Sequence, residues 1–169
     1  MKPHFAMLAA YNAWCNRRLY DAAAALPEAD YHADRGAFFK SLHGTLNHIL
    51  VADRIWMKRL TGEGEAPTRL DAILFDDLAS LRRARAAEDA RIIAYVDRLS
   101  EADLAGLLRY RPVTRPETVE QPLAPVLLHV FNHQTHHRGQ AHCILTGLGR
   151  DAPSFDLVAF QRETGMGLT

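Results

Sequence analysis

Residues 129–140 read His129-Val130-Phe131-Asn132-His133-Gln134-Thr135-His136-His137-Arg138-Gly139-Gln140. His129, His133 and His137 recur at steps of four, and five of the nine histidines lie between His129 and His142. On an α-helix such residues stack along one face, each turned by about 40° from the one before. Neutral imidazole is the commonest protein ligand for zinc, nickel and similar ions, and two imidazoles one turn apart can grip a single ion. With His133 at the origin of a helical wheel, Val126, Val130, Ile144 and Leu148 fall within about 60° of it. His133 and His137 therefore border a core-facing stripe, while His129 and His136 turn toward its edge. The helix is expected over 123–147, entered after Pro122 and stopped near Gly147 and Gly149.

Working outward, three more long helices are expected. Residues 3–26 are alanine-rich with apolar residues at helical spacing, and Pro27 stops them. Residues 41–61 have Ser41 as N-cap and Gly62 as the stop. Residues 76–99 show the stripe Leu78, Leu81, Ile92, Tyr95, Leu99 between charged faces. A short fifth helix is expected over 154–163, capped by Ser154. The segment 62–75, at roughly 3.3 Å per residue, can run the whole length of a ~30 Å helix, so the second and third helices can lie parallel. The segment 100–122 could hold a two-stranded ribbon around Tyr110, Val113, Thr114, Thr118 and Val119, although Pro112 and Pro116 weigh against it. The expected fold class is all-α: a four-helix bundle with long crossover connections, forming one domain over 1–169.

In a bundle, a metal site is assembled from inward-facing side chains on different helices. The best partner for His133 and His137 is His48, which stands beside the apolar arc Ile49, Ala52, Trp56. Spacing alone leaves His48 as readily a hydrogen-bonded core residue as a ligand. Three histidines would leave a coordination position open, the pattern of catalytic zinc sites. His133-Gln134-Thr135-His136-His137 looks like the HExxH peptidase motif, but Gln134 occupies the glutamate position and an amide cannot serve as the general base. His129 is expected to pack or hydrogen-bond near the site. His4, His32, His43, His136 and His142 are expected at the surface or in structural roles, and Cys143 in the core or at its boundary. Arg109, Arg111 and Arg115 could hold an anionic substrate, but a solvated charged loop is the favoured reading.

The bulk numbers bound the function. The chain has 169 residues, long enough for a core without staples, and 20 basic against 20 acidic residues give a formal net charge of zero. A general nucleic-acid binder would show a basic excess. Cys15 and Cys143 form no CxxC pair, which argues against a cysteine zinc site. No apolar run is long enough to span a membrane, and the N-terminal region lacks the pattern of a signal peptide. A cytoplasmic protein with reduced thiols is the expectation.

Three stretches together resemble the DinB family, also called the DinB/YfiT-like metalloenzymes. Tyr11-Asn12-Ala13-Trp14-Cys15-Asn16-Arg17-Arg18-Leu19 is similar to that family's aromatic–Asn–x–Trp–x–Asn opening. Leu46-Asn47-His48-Ile49 followed by Trp56 is similar to its second-helix motif, and residues 129–140 resemble its most specific signature. The resemblance covers nearly the whole chain. It implies a four-helix bundle in which His48, His133 and His137 hold a divalent metal ion, zinc or nickel. It further implies a metal-dependent enzyme such as a thiol S-transferase or related isomerase, with a low-molecular-weight thiol such as mycothiol or bacillithiol as cosubstrate, and a homodimer. A metal-dependent hydrolase and a non-catalytic metal-binding stress-response protein are the alternatives. The family name refers to DNA-damage induction, which describes regulation and not DNA binding.

Overall fold

The structure is a computed structural model that describes residues 1–113 and 116–168. Its elements run α1 Lys2–Ala24, α2 Glu28–His32, α3 Leu42–Thr61, α4 Leu78–Arg98, α5 Glu101–Ala105, β1 Leu107–Tyr110, β2 Val119–Pro122, α6 Leu123–Gly147 and α7 Leu157–Thr164. The four long helices fall where periodicity places them, and each end has a local cause. The Ser41 hydroxyl accepts from the Gly44 amide (3.0 Å) to start α3. Gly62 ends it in the left-handed conformation, φ 75°, which a residue without Cβ adopts at no steric cost. Asp77 caps α4 by accepting from the Ser80 amide.

Three details depart from the sequence expectation. Pro27 does stop α1, yet it also caps the extra turn α2. Asp156, not Ser154, caps α7, because its carboxylate accepts from the Val158 amide. The ribbon forms: β1 and β2 pair antiparallel from Leu107 opposite Pro122 to Tyr110 opposite Val119. Pro112 and Pro116 lie outside both strands and so remove no ladder hydrogen bond. Thr114 and Arg115 lie outside the described residues.

Contacts along the helices give their directions. Lys2 reaches the Asp97 carbonyl and Arg82 pairs with Asp21, so α1 and α4 are antiparallel. Phe5 meets Phe131 and Asn12 meets Arg138, so α1 and α6 are parallel. His48 meets His137 while Trp56 meets His129, which makes α3 and α6 antiparallel. Asp53 pairs with Arg85 and Thr61 with Arg91, so α3 and α4 are parallel, as the long crossover allows.

The core is split by a polar layer. At one end Leu19, Leu46, Leu50, Leu81 and Leu145 pack together. At the other end Phe5, Met57, Ile92, Leu127 and Phe131 do so. Between them all four long helices contribute buried polar groups: Asn12 and Asn16, Asp53, Arg85 and Asp89, Gln134 and Arg138. Arg85 joins Asp53 (2.5 Å) to Asp89 (3.0 Å). Asn16 donates to Asp89 (2.9 Å), Gln134 donates to Asp53, and Arg138 donates to Asn12. Asp53 thus has two donors on one oxygen, as a buried charge requires. Gln134 and Arg138 are the sequence neighbours of His133 and His137, so this layer holds α6 in register at the level of the histidines.

Candidate metal centre

His48, His133 and His137 come together between α3 and α6, with one ring nitrogen from each within 4.8 Å of the others. The Nε2 atom of His48 lies 3.3 Å from that of His133 and 3.1 Å from that of His137. His48 and His137 are buried, at 4% and 8% exposure, and His133 is half-buried.

The other ring nitrogens show which way these imidazoles are wired. His48 Nδ1 lies 2.7 Å from the Leu70 carbonyl, which can only accept, so Nδ1 holds the proton. His137 Nδ1 lies 2.7 Å from Gln140 Oε1, and the Gln140 amide nitrogen lies 3.2 Å from His136 Nε2. That arrangement is satisfied when Gln140 donates to His136 and accepts from His137. The Nε2 atoms of His48 and His137 are then bare lone pairs facing each other, with no hydrogen to share between them. Burial keeps the rings neutral: it pushes His48 down to about 4 and His133 to about 3, and lowers His137 as well.

Converging lone pairs on neutral imidazoles are a donor set for a cation. Nitrogen–metal distances of about 2.0–2.1 Å in a tetrahedron imply nitrogen–nitrogen edges of about 3.3–3.4 Å, close to the separations found here. The outer hydrogen bonds from Nδ1 to a carbonyl and an amide oxygen are those that orient metal-ligating histidines in general. Phe39 stacks on the His48 ring (centroids 3.7 Å apart, planes 16° apart) and meets His137 edge-on, closing the cluster on that side. Phe39 is held by a tight loop in which Lys40 takes φ 66°. Gly44 fits beneath it only because it lacks a Cβ, which would run into the Phe39 carbonyl oxygen.

On the other side the cluster opens to a cavity of about 520 Å³. His48 and His133 form its floor, Ala52, Ile55, Trp56 and Leu70 its walls, and Tyr110 and Val113 its roof. The ribbon therefore delivers part of the site. His129 is at the rim: its ring contacts Trp56 (5.1 Å) and lies 5.9 Å from His133, outside the converging trio. His136 bonds to Gln140 and His43 to the Phe75 carbonyl, structural roles as expected.

Other sequence expectations fare differently. Cys143, expected in the core or at its boundary, is exposed, whereas Cys15 is buried; both are free thiols. Arg109 and Arg111 are exposed, and Arg115 lies outside the described residues. The cation that does face the cavity is Arg59 of α3, which the sequence reading passed over. Its signal was present: His48, Ala52, Ile55 and Arg59 follow at helical steps along one face. Among the described residues, no helix is long and apolar enough to cross a membrane.

Comparison with known proteins agrees with this architecture. Protein DinB of Bacillus subtilis (strain 168) is 27% identical over 165 residues, covering 91% of this chain and 92% of its own length. The crystal structure of a DinB-like protein from Bacillus cereus ATCC 10987 matches with a TM-score of 0.63 at 15% identity, over 83% of this chain and 89% of that one. At that identity the likeness is one of fold. The model of the DinB family matches residues 1–166, and the chain belongs to the DinB family.

Proposed function

We propose that the chain binds one divalent metal ion, zinc or nickel, through Nε2 of His48, His133 and His137. We further propose that it works as a metal-dependent enzyme, a thiol S-transferase or related isomerase acting on a small molecule. The observation that supports this most is the convergence of the three Nε2 atoms, bare on His48 and His137, beside an open cavity that His48 and His133 line. When bound, the ion supplies Lewis acidity, lowering the pKa of a coordinated thiol or water. The chain's own residues do the rest. The Leu70 carbonyl and Gln140 hold the two buried imidazoles in the ligating tautomer. Phe39 excludes water from behind His48, and Trp56, Ile55 and Leu70 offer an apolar wall against which a substrate can lie.

A carboxylate near the ion would favour a hydrolase acting through metal hydroxide. Among the described residues lining the cavity there is no Asp or Glu, and that favours the thiol reading. A purely storage or scaffold role would be served by a closed site, whereas this one is open. The test is metal analysis of purified protein followed by a screen of low-molecular-weight thiols against electrophiles. The reading expects about one metal per chain and metal-dependent thiol transfer. Protein that cannot be loaded with metal overturns it.

The same reading takes residues 1–169 as one cytoplasmic domain that pairs into a homodimer, an extension that rests on family analogy alone. Light scattering should give twice the 18.9 kDa chain mass; a mass of 18.9 kDa contradicts the dimer.

A further inference from the structure

The end of the cavity away from the histidine trio, near His129, is built around Arg59. The guanidinium carbon lies 4.4 Å from the centre of the Trp56 ring and 4.9 Å from that of Tyr110, so the cation rests against both rings, which themselves meet edge-on at 5.1 Å. One Nη2 hydrogen goes to the Arg111 carbonyl (3.1 Å), which anchors the head group to the ribbon. No carboxylate among the described residues lies within ion-pair distance of Arg59, in contrast to Arg85 and Arg91 on the neighbouring helix α4. Arg59 is partly buried, and burial weakens its hold on its proton. A guanidinium that is immobilised, partly desolvated and without a counter-ion, with donors left over at a cavity wall, is a fork for a planar anion.

The other end of the same cavity is the histidine trio. Eleven residues separate His48 from Arg59, a rise of roughly 16 Å along the helix axis. Arg59 leans back over Trp56, as helical side chains do, which shortens the gap. The wall between the two ends is apolar and aromatic: Ala52, Ile55, Trp56 and Leu70.

We propose that this cavity takes an elongated small organic acid, with its carboxylate held by Arg59, its apolar body along Trp56 and Ile55, and its far end at the histidine trio. This rests on the metal reading above only for what happens at the far end. The anion site is defined by Arg59, Trp56 and Tyr110 and stands without a metal. It makes Arg59 a specificity-determining residue: it selects acids over neutral analogues and fixes which end of the molecule faces the histidines.

The test has two arms. In the first, metal-free protein is titrated calorimetrically with octanoate and with octanamide. Wild type should bind the acid on the order of ten-fold more tightly than the amide, as a charge-assisted hydrogen-bonded pair gives. Arg59→Gln should erase that preference by weakening octanoate far more than octanamide. Equal binding of acid and amide by wild type, or a preference that survives in Arg59→Gln, overturns the proposal. Circular dichroism of Arg59→Gln shows whether the helices are intact, and Arg59→Lys, which keeps the charge but loses the fork, should retain only part of the preference.

In the second arm, 8-mercaptooctanoate is titrated into zinc-loaded protein. Its thiol should add affinity over octanoate in wild type and not in His133→Ala. An acid preference without any gain from the thiol leaves the Arg59 site standing and contradicts the metal–thiol reading. A thiol gain without an acid preference does the reverse.

Discussion

Helix α6 presents two polar faces one residue apart, and they solve the problem of burial in opposite ways. Gln134 and Arg138 face the layer that contains Asp53, Arg85, Asp89 and Asn12, where donors meet acceptors and positive charge meets negative. His137 faces His48 acceptor to acceptor, and His133 Nε2 lies beside them, 3.3 Å from that of His48. The first cluster pairs its charges within the chain, although Arg85 Nε and Arg138 Nε find no hydrogen-bond partner among the described residues. The second is a group of three histidines that could hold a metal ion. The contrast separates a polar cluster that ties the four helices together from one whose converging nitrogens suit a ligand.

The largest effect expected from this contrast is on stability. Arg85→Ala leaves Asp53 and Asp89 buried without their cation, a change that costs about 3–5 kcal/mol. Urea unfolding should show that loss. His133→Ala, in metal-free protein, should unfold much nearer the wild-type midpoint, since it leaves no buried charge unpaired. If the two variants lose similar stability without metal, the distinction between the clusters breaks down.

Next comes the support behind the open cluster. Gly44→Ala forces the Phe39 carbonyl aside, and overpacking of this kind costs about 1–3 kcal/mol. Because Phe39 stacks on His48, the same change should also weaken metal binding. Unchanged metal affinity together with unchanged stability would show that Phe39 does not position the ring. Gln140→Ala frees the His137 tautomer, and loss of such a partner typically weakens metal affinity about 10–100-fold with the fold intact. Competition with a chromogenic chelator reads this directly.

The smallest effect is in pH. His48 and His133 are held neutral, with values near 4 and 3 against an ordinary 6.5. Between those limits the unfolded chain binds protons that the native chain refuses. The triad's contribution to stability is therefore whole above pH 6.5 and lost as pH falls toward 4. Asp53 opposes this, since burial raises its carboxyl to about 6, so protonation favours the folded state as pH falls from there toward 3.8. The triad's part is isolated by comparison: between pH 7 and 5, metal-free His133→Ala should lose less stability than wild type. An equal loss would mean that His133 titrates normally.

Much of this molecule is legible in its sequence, and what is not has a physical reason. His133 and His137 stand out because a four-residue step on an apolar-bordered helix is a local pattern. Ser41 and Gly62 were readable as caps for the same reason. The parallel course of α3 and α4 follows from the length of their connection. The polar layer was illegible: Arg85 and Asp89 sit in a charged helix and look like a solvated face until Asp53 and Asn16 are brought against them. The Leu70 carbonyl that orients His48 is backbone and leaves no mark in the sequence. Arg59 carries no signal of its cradle in the sequence, because the aromatic contacts join α3 to the ribbon, between residues 51 apart. Cys143 is exposed beside two core positions, Ile144 and Leu145, since a helix turns by about 100° at each step.

The most direct measurement is stoichiometric metal content across His133→Ala, His137→Ala, His129→Ala and His136→Ala, taken beside the helical circular dichroism of each. The convergence of Nε2 atoms predicts that the first two lose most bound metal and keep their helices, while the last two retain metal. Full occupancy in His133→Ala with loss in His136→Ala would contradict it.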